Sequence, residues 1–176
     1  LFTHAFETGL SKKGTETTRS NSIKIIDQLI LWHKGGKLRV QTMTGSDLKT
    51  LCHLSYISGV NLKLSSTCSP HRIQYVSSPI NNLNHSTGLF DIYYRWFPKV
   101  ENYLENLAED NQFSRYIKEN VEDIKSFINY FELTNPIPYS EIEIKDMVAK
   151  IDENRLKNDP VTNTSTGIMD LLKAIN

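Results

Sequence analysis

The sequence has little cysteine, no long apolar run and none of the common catalytic motifs. Its two cysteines are too few for a disulfide framework, and no stretch approaches the roughly 20 apolar residues that span a bilayer. Phosphate-binding loops, dinucleotide-binding glycine turns, nucleophile elbows and His-Glu-x-x-His helices are all missing. We therefore expect an intracellular protein, nuclear or cytoplasmic, that needs no cofactor. Whether it is an enzyme stays open, and the absence of motifs favours a non-catalytic role.

Charge is distributed unevenly along a chain whose formal net charge is zero. Residues 1–99 hold 12 Lys and Arg against 5 Asp and Glu, a net charge of +7. Residues 100–176 hold 8 against 15, a net charge of −7. Such asymmetry is typical of two modules with different partners. We expect nucleic acid to contact the basic half, a protein to contact the acidic half, and no membrane to be involved.

The basic half predicts a small α/β module over residues 23–80, after a flexible lead-in over residues 1–22. Helical apolar spacing alternates there with short runs of period two, which are typical of half-buried strands. The predicted order is helix, strand, helix, strand, strand, at residues 23–33, 37–41, 46–58, 60–65 and 71–76. The last two strands suit a hairpin. The same order approaches a winged helix only if residues 46–58 break into two helices.

The acidic half predicts a helical module over residues 89–176. Apolar residues recur every three or four positions over 89–108 and again over 113–131, with a short turn between them. Two such helices predict an antiparallel hairpin, the first of them kinked at Pro98. Ser140-x-x-Glu143 is a capping box that predicts a further helix. The predicted fold class is therefore α+β: a mixed α/β module followed by a helical hairpin and additional helices.

The predicted strands would place their basic residues on one sheet face. If the apolar residues of each strand face the core, the outer face carries four cations and no acid: Lys37, Arg39, Lys63 and Arg72. Such a face suits contacts with phosphates, which are salt-dependent and indifferent to sequence. The alternative is the ordinary solvated face of a half-buried sheet.

The helical half offers a candidate surface for a protein partner. An aromatic residue and three acids of the predicted hairpin form it, namely Trp96, Glu101, Glu105 and Glu122. Two alternatives stay open. These acids are also what the solvated sides of a packed bundle would carry, and the acidic half would also screen the basic half if the two docked together.

The cysteine and histidine spacing argues against a metal site. Cys52-His53 and Cys68-x-x-His71 resemble zinc-ligand pairs only loosely, because adjacent residues on a helix point about 100° apart. An apolar helix position predicts a buried, unligated Cys52. We expect no zinc on these four residues.

The combined features favour a non-catalytic intracellular module of a macromolecular assembly, with its basic sheet face on nucleic acid. The first alternative is a protein–protein adaptor or scaffold subunit without nucleic-acid binding. The second is an enzyme with an unrecognised site, which a deep pocket containing several of the five histidines would favour.

Overall fold

The computed structural model describes residues 1–131 and 137–174, apart from the side chain of Val40. Helices make up 75% of the described residues, which contain no strand. A 3₁₀ turn at Val40–Thr42 separates the second helix from the third. The helices are α1 (Phe2–Leu10), α2 (Glu16–Lys34), α3 (Gly45–Ser65), α4 (Ser69–Asn81), α5 (His85–Glu105), α6 (Gln112–Glu119), α7 (Val121–Tyr130), α8 (Glu141–Lys150), α9 (Glu153–Leu156) and α10 (Ser165–Lys173).

Two compact units divide the chain. Unit 1 comprises Leu1–Ser66 and Asp110–Phe127, and unit 2 comprises Thr67–Glu109 and Ile128–Asn176. Each unit is built from two separate stretches, whereas the predicted modules were continuous. Counted by unit, the charge asymmetry shrinks: unit 1 holds 12 Lys and Arg against 8 Asp and Glu, and unit 2 holds 8 against 12. Residues 175 and 176, the last of the predicted acidic module, lie outside the described residues.

The α+β fold class is wrong, because helices and a 3₁₀ turn stand where the strands were predicted. In place of the first strand, at 37–41, the chain is irregular up to the turn at Val40–Thr42. The second, at 60–65, is the last part of α3. The third, at 71–76, lies inside α4, whose first turn contains Pro70, a residue that a helix start accommodates.

The beginning of the chain also differs from its prediction. Residues 1–22, expected to be a flexible lead-in, are α1 and the first turns of α2. α1 buries Phe2, Phe6 and Leu10, which are spaced four residues apart and share one face. The polar stretch that follows supplies a helix cap: the Thr15 side chain accepts the N–H of Thr18 at 3.2 Å, and α2 begins.

Unit 1 packs α1, α2 and α3 together, with α6 against α1 and α2. α6 buries Phe113 and Ile117, and the Phe113 ring meets Phe6 edge-on at 5.7 Å. Only a glycine fits at position 9, since a Cβ there would lie 2.6 Å from the Phe113 ring. The aromatic core continues at Phe127, which stacks on Phe2 with ring centroids 4.6 Å apart.

Unit 2 contains the long helix that the apolar spacing predicted. The helix expected over 89–108 is confirmed as α5, which continues through Pro98 and buries Leu89, Trp96 and Leu104. α5 packs against α4 and α10, and α8 packs against both of these helices. The capping box predicted at Ser140 is confirmed at the start of α8.

The predicted helical hairpin is wrong. The second apolar stripe is divided at Asn120 into α6 and α7, and α6 belongs to unit 1 whereas α5 belongs to unit 2. The stripe of α6 finds its apolar partners on α1 and α2. A short connection was therefore a poor guide to which helices pack together.

None of the helices in the described part of the chain combines the length and the apolar composition that a bilayer crossing requires.

Candidate anion-binding cleft

A cleft with a volume of about 250 Å³ opens on unit 2. One wall comes from α4, and the other comes from the end of α8 and the start of α9. Three of the lining side chains are cations, one is an acid and one is an exposed tyrosine. The lining residues are Arg72, Tyr75, Val76, Lys150, Ile151, Asp152 and Arg155.

The first wall follows from helical spacing. Arg72, Tyr75 and Val76 are three and four residues apart, so they share one face of α4. Ile73 and Ser77 lie on another face and are buried in unit 2. Burial of that face fixes α4 with its arginine and tyrosine directed into the cleft.

The second wall follows from a helix break. α8 ends at Lys150, and Ile151 is extended, with φ −89° and ψ 123°. Asp152 then caps α9 by accepting the N–H of Asn154 at 2.9 Å. Because the chain turns between the two helices, Lys150 and Arg155 both reach the same wall.

Two of the three cations have carboxylate neighbours at the surface. Lys150 Nζ lies 2.6 Å from an oxygen of Asp146, and Arg155 Nε lies 3.7 Å from an oxygen of Asp152. All four side chains of these pairs are at least half exposed, and exposed pairs contribute only about 0–1 kcal/mol. At Lys150 and Arg155, an anion entering the cleft therefore has little attraction to displace.

An aromatic group stands beside the cations. The Tyr75 ring is 58% exposed and lies nearly parallel to the His85 ring, with centroids 5.9 Å apart and 12° between the planes. His85 is held in turn by a 2.7 Å hydrogen bond between its Nδ1 and the side-chain oxygen of Gln74. Tyr75 is thus a positioned ring that still presents most of its surface to solvent.

The four cations predicted to form a sheet face do not share one, because the described residues contain no sheet. Lys37 precedes the 3₁₀ turn and lies 3.7 Å from an Asp47 oxygen, and Arg39 is exposed next to that turn. Lys63 is exposed on α3. Arg72 is the one member of the set that lines the cleft.

The predicted partner surface is also divided. Trp96 is 0% exposed in the core of unit 2, so it is not available to a partner. Glu101 is half-buried and Glu105 is exposed on α5 of unit 2, whereas Glu122 is exposed on α7 of unit 1. These residues therefore do not form one patch on one unit.

The cysteines do not follow their prediction. Cys52 was expected to be buried but is exposed on α3, and Cys68 is buried just before α4. The two belong to different units. The absence of zinc from Cys52, His53, Cys68 and His71 stays a prediction.

Sequence reasoning missed most of the cleft. Tyr75 was assigned to a core face because residues 71–76 alternate like a strand, yet the helix places it outward. Lys150 and Arg155 lie in the acidic half, where a net charge counted over many residues hides them. The signal in the sequence is the Ile151-Asp152 helix break, which these two cations flank.

A second cavity in unit 2 lies between the end of α5 and residues 160–161. Its only ionisable side chains are Lys99 and Tyr103. Neither this cavity nor the cleft is lined by a histidine, so neither has the feature that would favour an enzyme.

Comparison with known proteins finds no family model that matches this chain. The sequence also has no significant match among curated proteins.

Proposed function

We propose that the protein is a non-catalytic module that binds single-stranded nucleic acid through the cleft of unit 2. The observation that supports this best is the convergence of Arg72, Lys150 and Arg155, from two walls, around the exposed ring of Tyr75. We therefore assign nucleic-acid binding to the cleft and not to a basic sheet face.

The cations supply the phosphate contact. Arginine presents a planar fork of donors that matches two phosphate oxygens, and lysine adds a compact positive charge. Arg72 is half-buried on a rigid helix, whereas Arg155 and Lys150 are exposed. Arg72 is therefore the fixed anchor, and the other two close on the phosphate from the opposite wall.

Tyr75 supplies the contact that distinguishes a nucleic acid from a simple anion. A base stacked on an aromatic ring contributes about 1–3 kcal/mol, and every base has a face to offer. The bases of a duplex are already stacked on one another, so this contact is open only to a single strand. The cleft is smaller than most small-molecule sites, which suits one phosphate and part of its nucleoside.

The charge of unit 2 sets the expected salt dependence. The unit as a whole has four more acids than bases, so attraction of the polyanion comes from the cleft. One phosphate held by the cleft on a single strand gives a slope of about −0.7 in log K against log salt concentration. A larger slope would require cations outside the cleft.

Fluorescence anisotropy tests the proposal with labelled single-stranded dodecamers of thymidine and uridine, and with a duplex of equal length. We expect both single strands to bind more tightly than the duplex. Arg72→Ala and Arg155→Ala should weaken both single strands alike and should make binding less dependent on salt. Tyr75→Leu should weaken binding by about tenfold without changing the slope.

Lys145→Ala is the matched control, because Lys145 is exposed on α8 but does not line the cleft. Equal losses for Lys145→Ala and Arg155→Ala would mean that charge alone, not the cleft, attracts the strand. Binding that Tyr75→Leu leaves unchanged would contradict the stacking contact. No binding of any oligonucleotide would favour the adaptor alternative and end the proposal.

We also propose that the module works inside the cell, in the nucleus or the cytoplasm, as part of a larger assembly. The scarcity of cysteine and the expected ligand support this location. Immunofluorescence of the tagged chain in its source cells is the direct test, and secretion into the medium would contradict it.

A further inference from the structure

One helix of unit 1 exposes a line of apolar side chains along its whole length. The side chains are every fourth residue of α3, and we call them the α3 ridge: Leu48, Cys52, Tyr56, Val60 and Leu64. Their exposure is 41% for Leu48, 72% for Tyr56, 39% for Val60 and 54% for Leu64, and Cys52 is exposed as well. A line of this length is unusual on a free surface, where exposed apolar residues are normally scattered.

The orientation of α3 is fixed by its opposite side, which is mainly polar. Leu54, Ser58, Asn61 and Ser65 are the buried residues of α3. Asn61 donates to the Thr18 carbonyl at 3.0 Å, and the Ser65 hydroxyl donates to the Thr8 carbonyl at 3.2 Å. Rotating the ridge inward would break these buried hydrogen bonds, so the ridge belongs on the outside.

The shape of the ridge suits a second helix. Side chains four residues apart form one of the ridges that pack into the grooves of a neighbouring helix, at the commonest crossing angle of about −50°. The line spans 16 residues from Leu48 to Leu64, or about 24 Å of helix. Other apolar residues of α3, such as Leu54, lie elsewhere on it, so α3 lacks the single broad apolar face of a membrane-surface helix.

The margins of the ridge are basic. Lys49, His53 and Lys63 are exposed beside it, and Asp47 is the single acid among residues 45–65. That carboxylate already accepts hydrogen bonds from the Thr44 hydroxyl at 2.7 Å and the Trp32 indole at 3.2 Å. A partner on the ridge therefore meets apolar side chains bordered by positive charge.

This charge pattern argues against a second copy of the chain. In an antiparallel pair of α3 helices, Lys49 of each copy would approach Lys63 of the other. In a parallel pair, each lysine would approach its own equivalent. Both arrangements bring like charges together, whereas a partner with acidic margins would pair them with opposite charges.

We propose that the α3 ridge is the docking site for an amphipathic helix of another protein, with acidic residues on both sides of its apolar stripe. This goes beyond nucleic-acid binding, because it rests on unit 1 alone and uses none of the cleft residues. It assigns the partner-binding role to α3 and not to the acidic helices.

Three synthetic helical peptides and the intact protein provide the test. The first has leucines every three to four residues flanked by glutamates, the second has lysines in place of the glutamates, and the third has serines in place of the leucines. We expect only the first to bind in isothermal titration calorimetry. It should also slow alkylation of the exposed Cys52 by iodoacetamide, while the buried Cys68 reacts slowly throughout.

Variants of the protein then locate the site. Tyr56→Ser and Val60→Ser should each weaken the first peptide by at least about tenfold, as central contacts of an interface do. Leu31→Ser is the matched control, since Leu31 is exposed on α2 of the same unit but lies off the ridge. It should leave binding within about twofold. The Lys49→Glu/Lys63→Glu double variant should lose the first peptide and gain the second.

Several outcomes would overturn the proposal. Equal affinity for the first and second peptides would show that the charged margins do not contribute to binding. Equal losses of affinity for Leu31→Ser and Tyr56→Ser would show that the peptide does not bind at the ridge. Sedimentation showing a dimer that Tyr56→Ser dissociates would assign the ridge to a second copy. Binding to phosphatidylserine vesicles in preference to the first peptide would assign it to a membrane. Unchanged circular dichroism melts confirm that each serine variant is folded.

Discussion

The two units bury polar side chains by different means. Unit 1 buries Glu7 and a set of small neutral polar side chains, which we call the polar seam: Thr8, Ser11, Ser22, Asn61 and Ser65. They link α1, α2 and α3 through hydrogen bonds, including a 3.2 Å contact between the Thr8 and Ser22 hydroxyls. Unit 2 instead buries a charged pair, Asp91 and Arg95, whose side chains are both 0% exposed and 4.0 Å apart.

Hydrogen bonds to two separate segments hold the charged pair of unit 2. Asp91 accepts from the Ile137 N–H at 3.0 Å and from the Tyr139 hydroxyl at 3.2 Å. Arg95 donates to the carbonyls of Ile137 and Leu172, and its guanidinium lies 5.2 Å from the Tyr139 ring centroid. Burial lowers the pKa of Arg95, which the neighbouring Asp91 opposes.

These two kinds of buried polar group predict which substitutions destabilise each unit most. Small hydroxyl and amide groups let helices approach closely. The loss of one such hydrogen-bonding group lowers the free energy of unfolding only modestly. A buried charge that loses its partner is far more costly. We therefore expect unit 1 to depend most on its aromatic core and unit 2 on its charged pair.

The largest effect should come from the aromatic core of unit 1. Phe127 is 2% exposed, stacks on Phe2 and lies near the His33 ring, with centroids 5.8 Å apart. Phe127→Ala should lower the free energy of unfolding by about 4 kcal/mol, because it removes a buried ring and leaves a cavity. Urea denaturation measures this change, and a loss below about 1 kcal/mol would show that Phe127 is not a core residue.

The next effect should come from the charged pair of unit 2. Asp91→Asn keeps the shape of the side chain but leaves the buried Arg95 without its counter-charge, at a cost of about 3 kcal/mol. Arg95→Met should cost a similar amount, and the double variant should cost less than the sum of the two. Hydrogen exchange should show the loss of protection in unit 2. Strict additivity of the two changes would show that the pair is not coupled.

Much of the helical structure of unit 2 was predictable, because α5 and α8 carry regular apolar spacing and a capping box. In the third helix of unit 1, residues 46–58 were predicted to be helical, but residues 60–65 were predicted to be a strand. Its ridge residues are apolar and exposed while Asn61 and Ser65 are buried, which reverses the rule that apolar residues mark the core. The alternation of apolar and polar residues over 60–65 is the pattern of a half-buried strand. The buried positions 54, 58, 61 and 65, of which the last three are polar, have the three- to four-residue spacing of one helix face.

The cleft illustrates a second limit of the sequence. Arg72 lies about 80 positions before Lys150 and Arg155 in the chain, and nothing local links them. Only the packing of α4 against α8 and α9 brings them to one cavity. A net charge counted over half of the chain does not reveal a local cluster of three cations.

A smaller effect should come from the polar seam. Asn61 accepts from the Asn21 amide at 3.1 Å and donates to the Thr18 carbonyl at 3.0 Å. Asn61→Ala should lower the free energy of unfolding by about 2 kcal/mol, since it leaves buried groups without their hydrogen bonds. Asn106→Ala is the control, because Asn106 is exposed at the end of α5. An effect of Asn61→Ala as large as that of Asp91→Asn would erase the contrast between the units.

The smallest effect should be common to both units and should depend on pH. Asp47 in unit 1 and Glu143 in unit 2 each reach back to cap a helix, and hydrogen bonds from Thr44 and Ser140 lower the pKa of these two carboxyls. A carboxyl whose pKa is lower in the folded state stabilises the protein fully above its unfolded pKa, near about 4. That stabilisation is lost as the pH falls through the folded pKa.

Asp47→Ala and Glu143→Ala should therefore be less stable than the parent at neutral pH, and the differences should shrink as the pH falls below about 4. Urea titrations across this pH range measure both differences, and fluorescence of Trp32, which donates to Asp47 at 3.2 Å, reports the cap of α3 directly. A difference that stays constant with pH would mean that the ionised carboxylates do not stabilise the caps, and a difference confined to one variant would extend the contrast between the units to their helix ends.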